Sequence, residues 1–209
     1  MPPIVAQRGL VPPFIVMDVM RAANERAAEG GDVLHLEVGQ PATSAPEPVL
    51  EAARRVLGAD RLGYTDALGL ESLRRRIARY YGERFGIDVD LRRIAVTTGS
   101  SGAFILAFLA AFELGDRVAL ASPGYPAYRN ILTALGAQVV SVPVGPATNF
   151  QPTPELLAAG ERENESKGGL KGLIVASPAN PTGTMLSRDA LQALVDDGRE
   201  RSLWLVSDE

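Results

Sequence analysis

Four short stretches of this sequence set polar or aromatic side chains directly after an apolar run, and each offers a different contact. Gly99-Ser100-Ser101-Gly102 follows Ile94–Thr98 and opens the apolar segment Ala103–Phe112. Backbone N–H groups, two hydroxyls and the positive end of a helix dipole there favour a phosphate. Tyr125 follows Val118–Ala121 and is braced by Pro123 and Pro126, so it presents a flat face on which an aromatic ring can stack. Asn180 follows Leu173–Ala176 and is held between Pro178 and Pro181, with an amide able to donate to a phenolate-type oxygen. Asp208 closes the run begun by Leu203–Val206. A carboxylate at the end of a buried strand needs a charged partner, and a protonated heterocyclic nitrogen serves.

These positions depend on the elements that carry them. Pro2, Pro3, Pro12 and Pro13 mark residues 1–13 as an extended arm. Phe14–Ala28 places Val16, Val19, Met20, Ala23 and Ala27 on one helical face and stops at Gly30-Gly31. The alternating run Val33–Val38, with His35 in it, reads as a short strand ending at Gly39-Gln40-Pro41. A helix over Glu47–Leu57, a loop at Gly63–Asp66 holding Tyr64, and a helix with Leu70, Leu73, Ile77 and Tyr80 inward follow. The basic residues of Arg74–Arg79 fall on that helix's solvated face. From Arg92 the pattern becomes strand, loop, helix. Strands are predicted at Ile94–Thr98, Val118–Ala121, Gln138–Val142, Leu173–Ala176 and Leu203–Val206, with a short helix near 154–160 inside the polar excursion 145–169. Ser187 caps a helix whose inner positions are Leu191, Leu194 and Val195. Such alternation signifies a largely parallel sheet covered by helices, whose ligand contacts gather past the strands' carboxyl ends.

The chain has 209 residues, a net charge of −4 and a pI near 5.2. No basic patch with interleaved aromatics appears, which argues against nucleic acid as a partner. The lack of cysteine excludes disulfides and thiolate chemistry. The one histidine, His35, reads as a packed or half-exposed strand residue, and no metal site is expected. The longest apolar run, Ala103–Phe112, is too short to span a bilayer, no signal peptide is visible, and the expected location is the cytoplasm. Of 21 basic residues only Lys167 and Lys171 are lysines.

Each of the four stretches has an ordinary structural explanation by itself; Asn-Pro-Thr-Gly alone is a tight turn. Phosphate, flat ring, hydroxyl and ring nitrogen together describe pyridoxal 5′-phosphate, whose pyridinium nitrogen is tuned by an acidic partner.

Several ordered motifs then match one family. Gly39-Gln40-Pro41, Tyr64 with Gly69 and Leu73-Arg74, Thr98–Ala103, Pro123–Tyr128, Ser177–Gly183 and Ser207-Asp208-Glu209 resemble those of the fold-type I pyridoxal-phosphate aminotransferases of class I and II. The resemblance implies that Ser100, Ser101 and Gly102 hold the cofactor phosphate, Tyr125 stacks on its ring, Asn180 bonds the 3′-oxygen and Asp208, the catalytic residue, pairs with the pyridinium nitrogen. It also implies that Tyr64 reaches the phosphate of a partner subunit in a homodimer and that Gly39 lies beside the substrate carboxylate. The expected fold is α/β: a three-layer large domain of the pyridoxal-phosphate transferase type, with a mostly parallel sheet, over 46–209. Residues 1–45 would be the arm and the first part of a small domain. The implied reaction moves an amino group between an amino acid and a 2-oxo acid, leaving a lyase or decarboxylase of the same fold, or a ligand-sensing domain, as alternatives. The family's Schiff-base lysine lies beyond the motif matched by Asp208 and is absent from this chain. Lys167 and Lys171 precede a strand, at its opposite end. The expectation is an N-terminal half of an aminotransferase, inactive by itself.

Overall fold

The computed structural model describes residues 4–6, 9–162 and 168–209. Among them, seven α-helices and four strands form two compact units, one comprising Met1–Phe14 with Phe104–Glu209 and the other Ile15–Ala103.

The first unit is built on a parallel sheet. Its strands are β1 (Arg117–Ser122), β2 (Gln138–Pro143), β3 (Leu170–Ala176) and β4 (Trp204–Asp208), in the order β2-β1-β3-β4. The registers Val118↔Val139, Leu120↔Ile174 and Ala176↔Asp208 bring the carboxyl ends of β1, β3 and β4 to one edge of the sheet. Successive side chains of a strand point to opposite faces, and the sequence exploits this. Ala119, Val140, Val142, Leu173 and Val175 meet Leu157 and Leu194 on one side. Val118, Leu120 and Ile174 meet Phe104, Phe108, Tyr128 and Leu132 on the other. The helices that supply these partners are α4 (Ser100–Ala111) and α5 (Pro126–Ala134) on the second face, with α6 (Pro154–Arg162) and α7 (Arg188–Glu200) on the first. The result is the three-layer α/β arrangement expected. Ser187 caps α7 as the sequence indicated, its Oγ accepting from Ala190 N at 3.1 Å.

The second unit holds α1 (Ile15–Ala28), α2 (Glu47–Ala59) and α3 (Glu71–Phe85). None of these helices has a buried residue. Two predicted strands are not strands here. Val33–Val38 is irregular, with Leu34 and Leu36 exposed, because no neighbouring strand among the described residues supplies a hydrogen-bond ladder. Ile94–Thr98 is likewise unpaired: the Val96 N–H goes to Leu68 O in an irregular turn, at 3.0 Å. Lys167 lies outside the described residues.

Candidate functional site

In the first unit the structure brings Tyr125 and Asn180 to one cavity and links Asp208 to it through Tyr128. β1 ends at Ser122, and Gly124 lets the chain turn there, since a Cβ on it would stand 2.5 Å from Ala121 O. Tyr125 is the residue before Pro126, the first of α5. Its half-buried ring meets Phe14 edge-on at 6.1 Å and Tyr128 at 5.2 Å between centroids. Tyr125, Tyr128 and Asn180 line one cavity beyond the strand ends, with Phe150, Gln151 and Val175.

Asp208 is the last residue of β4, and its carboxylate accepts a hydrogen bond from the hydroxyl of Tyr128. Its backbone oxygen accepts from Ser177 N at 3.0 Å, which ties β4 to the loop carrying Asn180. Burial pushes the Tyr128 hydroxyl well above the ordinary tyrosine value, and its bond to the Asp208 carboxylate pushes it further. Tyr128 therefore remains a protonated donor throughout the neutral range, orienting one carboxylate oxygen.

Asn180 is exposed, in a loop folded on itself by Ala179 N to Thr184 O at 2.9 Å and Gly183 N to Ala179 O at 2.7 Å. Ser177 Oγ accepts from Leu186 N at 3.0 Å, and the Ser177–Pro178 and Asn180–Pro181 bonds are cis. An exposed amide on a rigid loop, a carboxylate held by a phenol, and a tyrosine ring suit a flat heteroaromatic ligand with a hydroxyl and a basic ring nitrogen. The donor set fits pyridoxal phosphate.

Sequence reasoning missed two residues here. Tyr128 packs on the apolar face of α5, at 5% exposure, and its hydroxyl serves Asp208. Its position three residues after Tyr125, one helical turn on, was the available signal. Gln151, 4% exposed, had no local signal at all.

In the second unit Ser100, Ser101 and Gly102 are the first turn of α4, not a turn preceding it: the helix begins at Ser100 rather than Ala103. Gly99, at φ +79°, makes the reversal into it, and Thr97 Oγ1 donates to Gly99 O at 2.8 Å. The leading N–H groups of a helix have no intrahelical partner, so this end offers donors beside two exposed hydroxyls. Gly39 and Tyr64 lie in exposed, irregular chain of the same unit. His35 is a surface residue with Nδ1 2.8 Å from Glu37 Oε1, and that bond holds the Glu37 carboxyl below its usual range.

Comparison with known proteins bears on the family and the fold. The family profile described as aminotransferase class I and II matches residues 31–209. A valine–pyruvate aminotransferase of Mycobacterium tuberculosis is 52% identical over 205 residues, covering 98% of this chain and 51% of that relative. Among solved structures, an aminotransferase from Mycobacterium tuberculosis superposes with a TM-score of 0.91 at 52% identity, over 99% of this chain and 52% of the other. Aspartate aminotransferase from Thermus thermophilus, solved with maleate, gives 0.90 at 32% identity over 99% and 53%. The chain spans about half the length of the curated relatives it matches.

Proposed function

The chain belongs to the class I and II aminotransferases, a pyridoxal-phosphate-dependent family, and on that premise we propose that the intact protein carrying it moves an amino group between an amino acid and a 2-oxo acid. The observation that carries this reading is that Tyr125 and Asn180 line one cavity with Tyr128, whose hydroxyl donates to the Asp208 carboxylate at the end of β4. Bound pyridoxal phosphate supplies an electron sink for the substrate's α-carbon. The chain's own residues do the rest of what is proposed here. Tyr125 packs against the ring. The Asp208 carboxylate, steadied by Tyr128, keeps a proton on the ring nitrogen, because a nearby negative charge favours the charged form. Asn180 donates to the ring oxygen, and the first turn of α4, at Ser100, Ser101 and Gly102, is the proposed phosphate holder.

The attacking amine is not Lys171, which is exposed and second in β3. It stands five residues before Ala176, about 16 Å from that strand's carboxyl end at the usual rise of a strand. The first pair of substrates to test is valine with pyruvate, from the relative 52% identical. Transfer of the amino group to pyruvate, followed by appearance of alanine, supports the reading. Release of carbon dioxide or ammonia without alanine overturns it in favour of a lyase. We further propose a cytoplasmic homodimer in which the exposed Tyr64 reaches the cofactor phosphate of the neighbouring subunit, while Gly39 lies beside the substrate carboxylate. Light scattering and mixed dimers bearing Tyr64→Phe in one subunit test it, and a catalytically competent monomer would contradict it.

A further inference from the structure

Gln151 is a buried polar side chain that the proposed reaction does not use. Its position follows from an unusual turn. Asn149 and Phe150 both have left-handed backbone, at φ 52° and 54°. Asparagine tolerates that region, but phenylalanine occupies it only where its surroundings hold it there. Here Phe150 N bonds Gly145 O at 2.8 Å and Gln151 N bonds Thr148 O at 3.0 Å. The turn drives the Gln151 side chain against the loop that carries Asn180. Its Nε2 donates toward Thr184 O at 2.9 Å, Thr184 Oγ1 at 3.2 Å and Ala176 O at 3.3 Å. Ala176 is where the chain leaves β3, and Thr184 is where the loop returns. One carboxamide therefore grips both ends of the loop.

Resting on the cofactor site proposed above, we propose that Gln151 is a positioning residue for Asn180: its amide clamps Ala176 to Thr184 and so fixes the attitude in which Asn180 donates to the ring oxygen. Only a donor fits this place. Three oxygens face Nε2, so a carboxylate would be repelled and an aliphatic side chain would remove the bridge between the two carbonyls, leaving Thr184 O with only Ala179 N.

The test uses the intact protein with Gln151→Leu, Gln151→Glu, Asn180→Ala and the Gln151→Leu/Asn180→Ala double variant. Amide hydrogen exchange is followed at Ala179 and Gly183, whose N–H groups close the loop. Both Gln151 variants should raise their exchange about ten-fold or more while the amides of β1 stay protected. Unchanged exchange in whichever variant folds overturns the clamp. The second readout is the pH midpoint of the visible absorption band of added pyridoxal phosphate. Loss of a donor to an oxyanion raises its proton affinity, so Asn180→Ala and Gln151→Leu should both move the midpoint upward, and the double variant no further than Asn180→Ala. Faster exchange with an unmoved midpoint in Gln151→Leu, or an additional shift in the double variant, overturns the link to Asn180. If Asn180→Ala itself leaves the midpoint unmoved, the cofactor reading falls, while the exchange result still decides the clamp.

Discussion

The sheet unit and the helical unit contain the same kinds of apolar residues at the same kinds of spacing, yet both clusters of buried apolar side chains among the described residues lie in the sheet unit. Val118 and Ala119 in β1 are wholly buried, whereas Leu34 and Leu36, in an alternating run no less strand-like, are 84% and 90% exposed. β1 has β2 on one side and β3 on the other, and helices cover both of its faces. Val33–Val38 has no such neighbour among the described residues. Alternation therefore specifies which side chains share a face. It does not supply the ladder that makes a strand, which comes from a different part of the chain.

The contrast is strongest at the carboxyl ends of β1, β3 and β4, and so is the largest expected effect. Asp208→Ala in the intact protein should lower turnover by about a thousand-fold, a loss in the range seen for removed transition-state contacts. It also leaves the buried Tyr128 hydroxyl without its acceptor. Steady-state kinetics beside a thermal melt separates the two consequences, and near-normal turnover would remove Asp208 from the site. Next comes the core itself. Leu173→Ala should cost about 2–5 kcal/mol in urea denaturation, since Leu173 is buried in the middle of β3. Leu36→Ala should change stability by less than about 0.5 kcal/mol. Equal effects from the two would erase the distinction between the units.

A smaller effect belongs to Tyr128. Its hydroxyl titrates above the ordinary tyrosine value of 10.0, so the folded state holds that proton more tightly than the unfolded state does. Stability from this group is fully present below pH 10.0 and declines as the pH rises from there toward the folded value. Unfolding free energy measured across the alkaline range should fall less steeply in Tyr128→Phe than in the parent, and parallel curves would contradict the assignment. Smallest is the local cap: Ser187→Ala should cost about 1 kcal/mol, with α7 fraying by circular dichroism before the sheet melts.

What was legible in the sequence follows the same division. The helices α1, α2 and α3, the Ser187 cap and the four strands of the sheet announced themselves through spacing and through Gly and Pro punctuation, which are local properties. Tyr125, Asn180 and Asp208 stand out in the sequence as candidates because each closely follows an apolar run. Val33–Val38 and Ile94–Thr98 were misjudged because a ladder partner leaves no mark on the strand that lacks it. The tie from Tyr128 to Asp208 spans 80 positions, and those from Gln151 span 25 and 33. No window of sequence holds both ends of such contacts, and a tyrosine on an apolar helical face looks the same whether or not its hydroxyl has work.

The central claim is that Asp208 receives the ring nitrogen of the cofactor, and nitrogen-15 magnetic resonance with ring-labelled pyridoxal phosphate tests it most directly. Across a pH series, the nitrogen bound to the intact parent protein should remain protonated to distinctly higher pH than in Asp208→Ala, where it should titrate as an unassisted pyridine. A ring nitrogen whose titration is the same in both proteins would contradict the account.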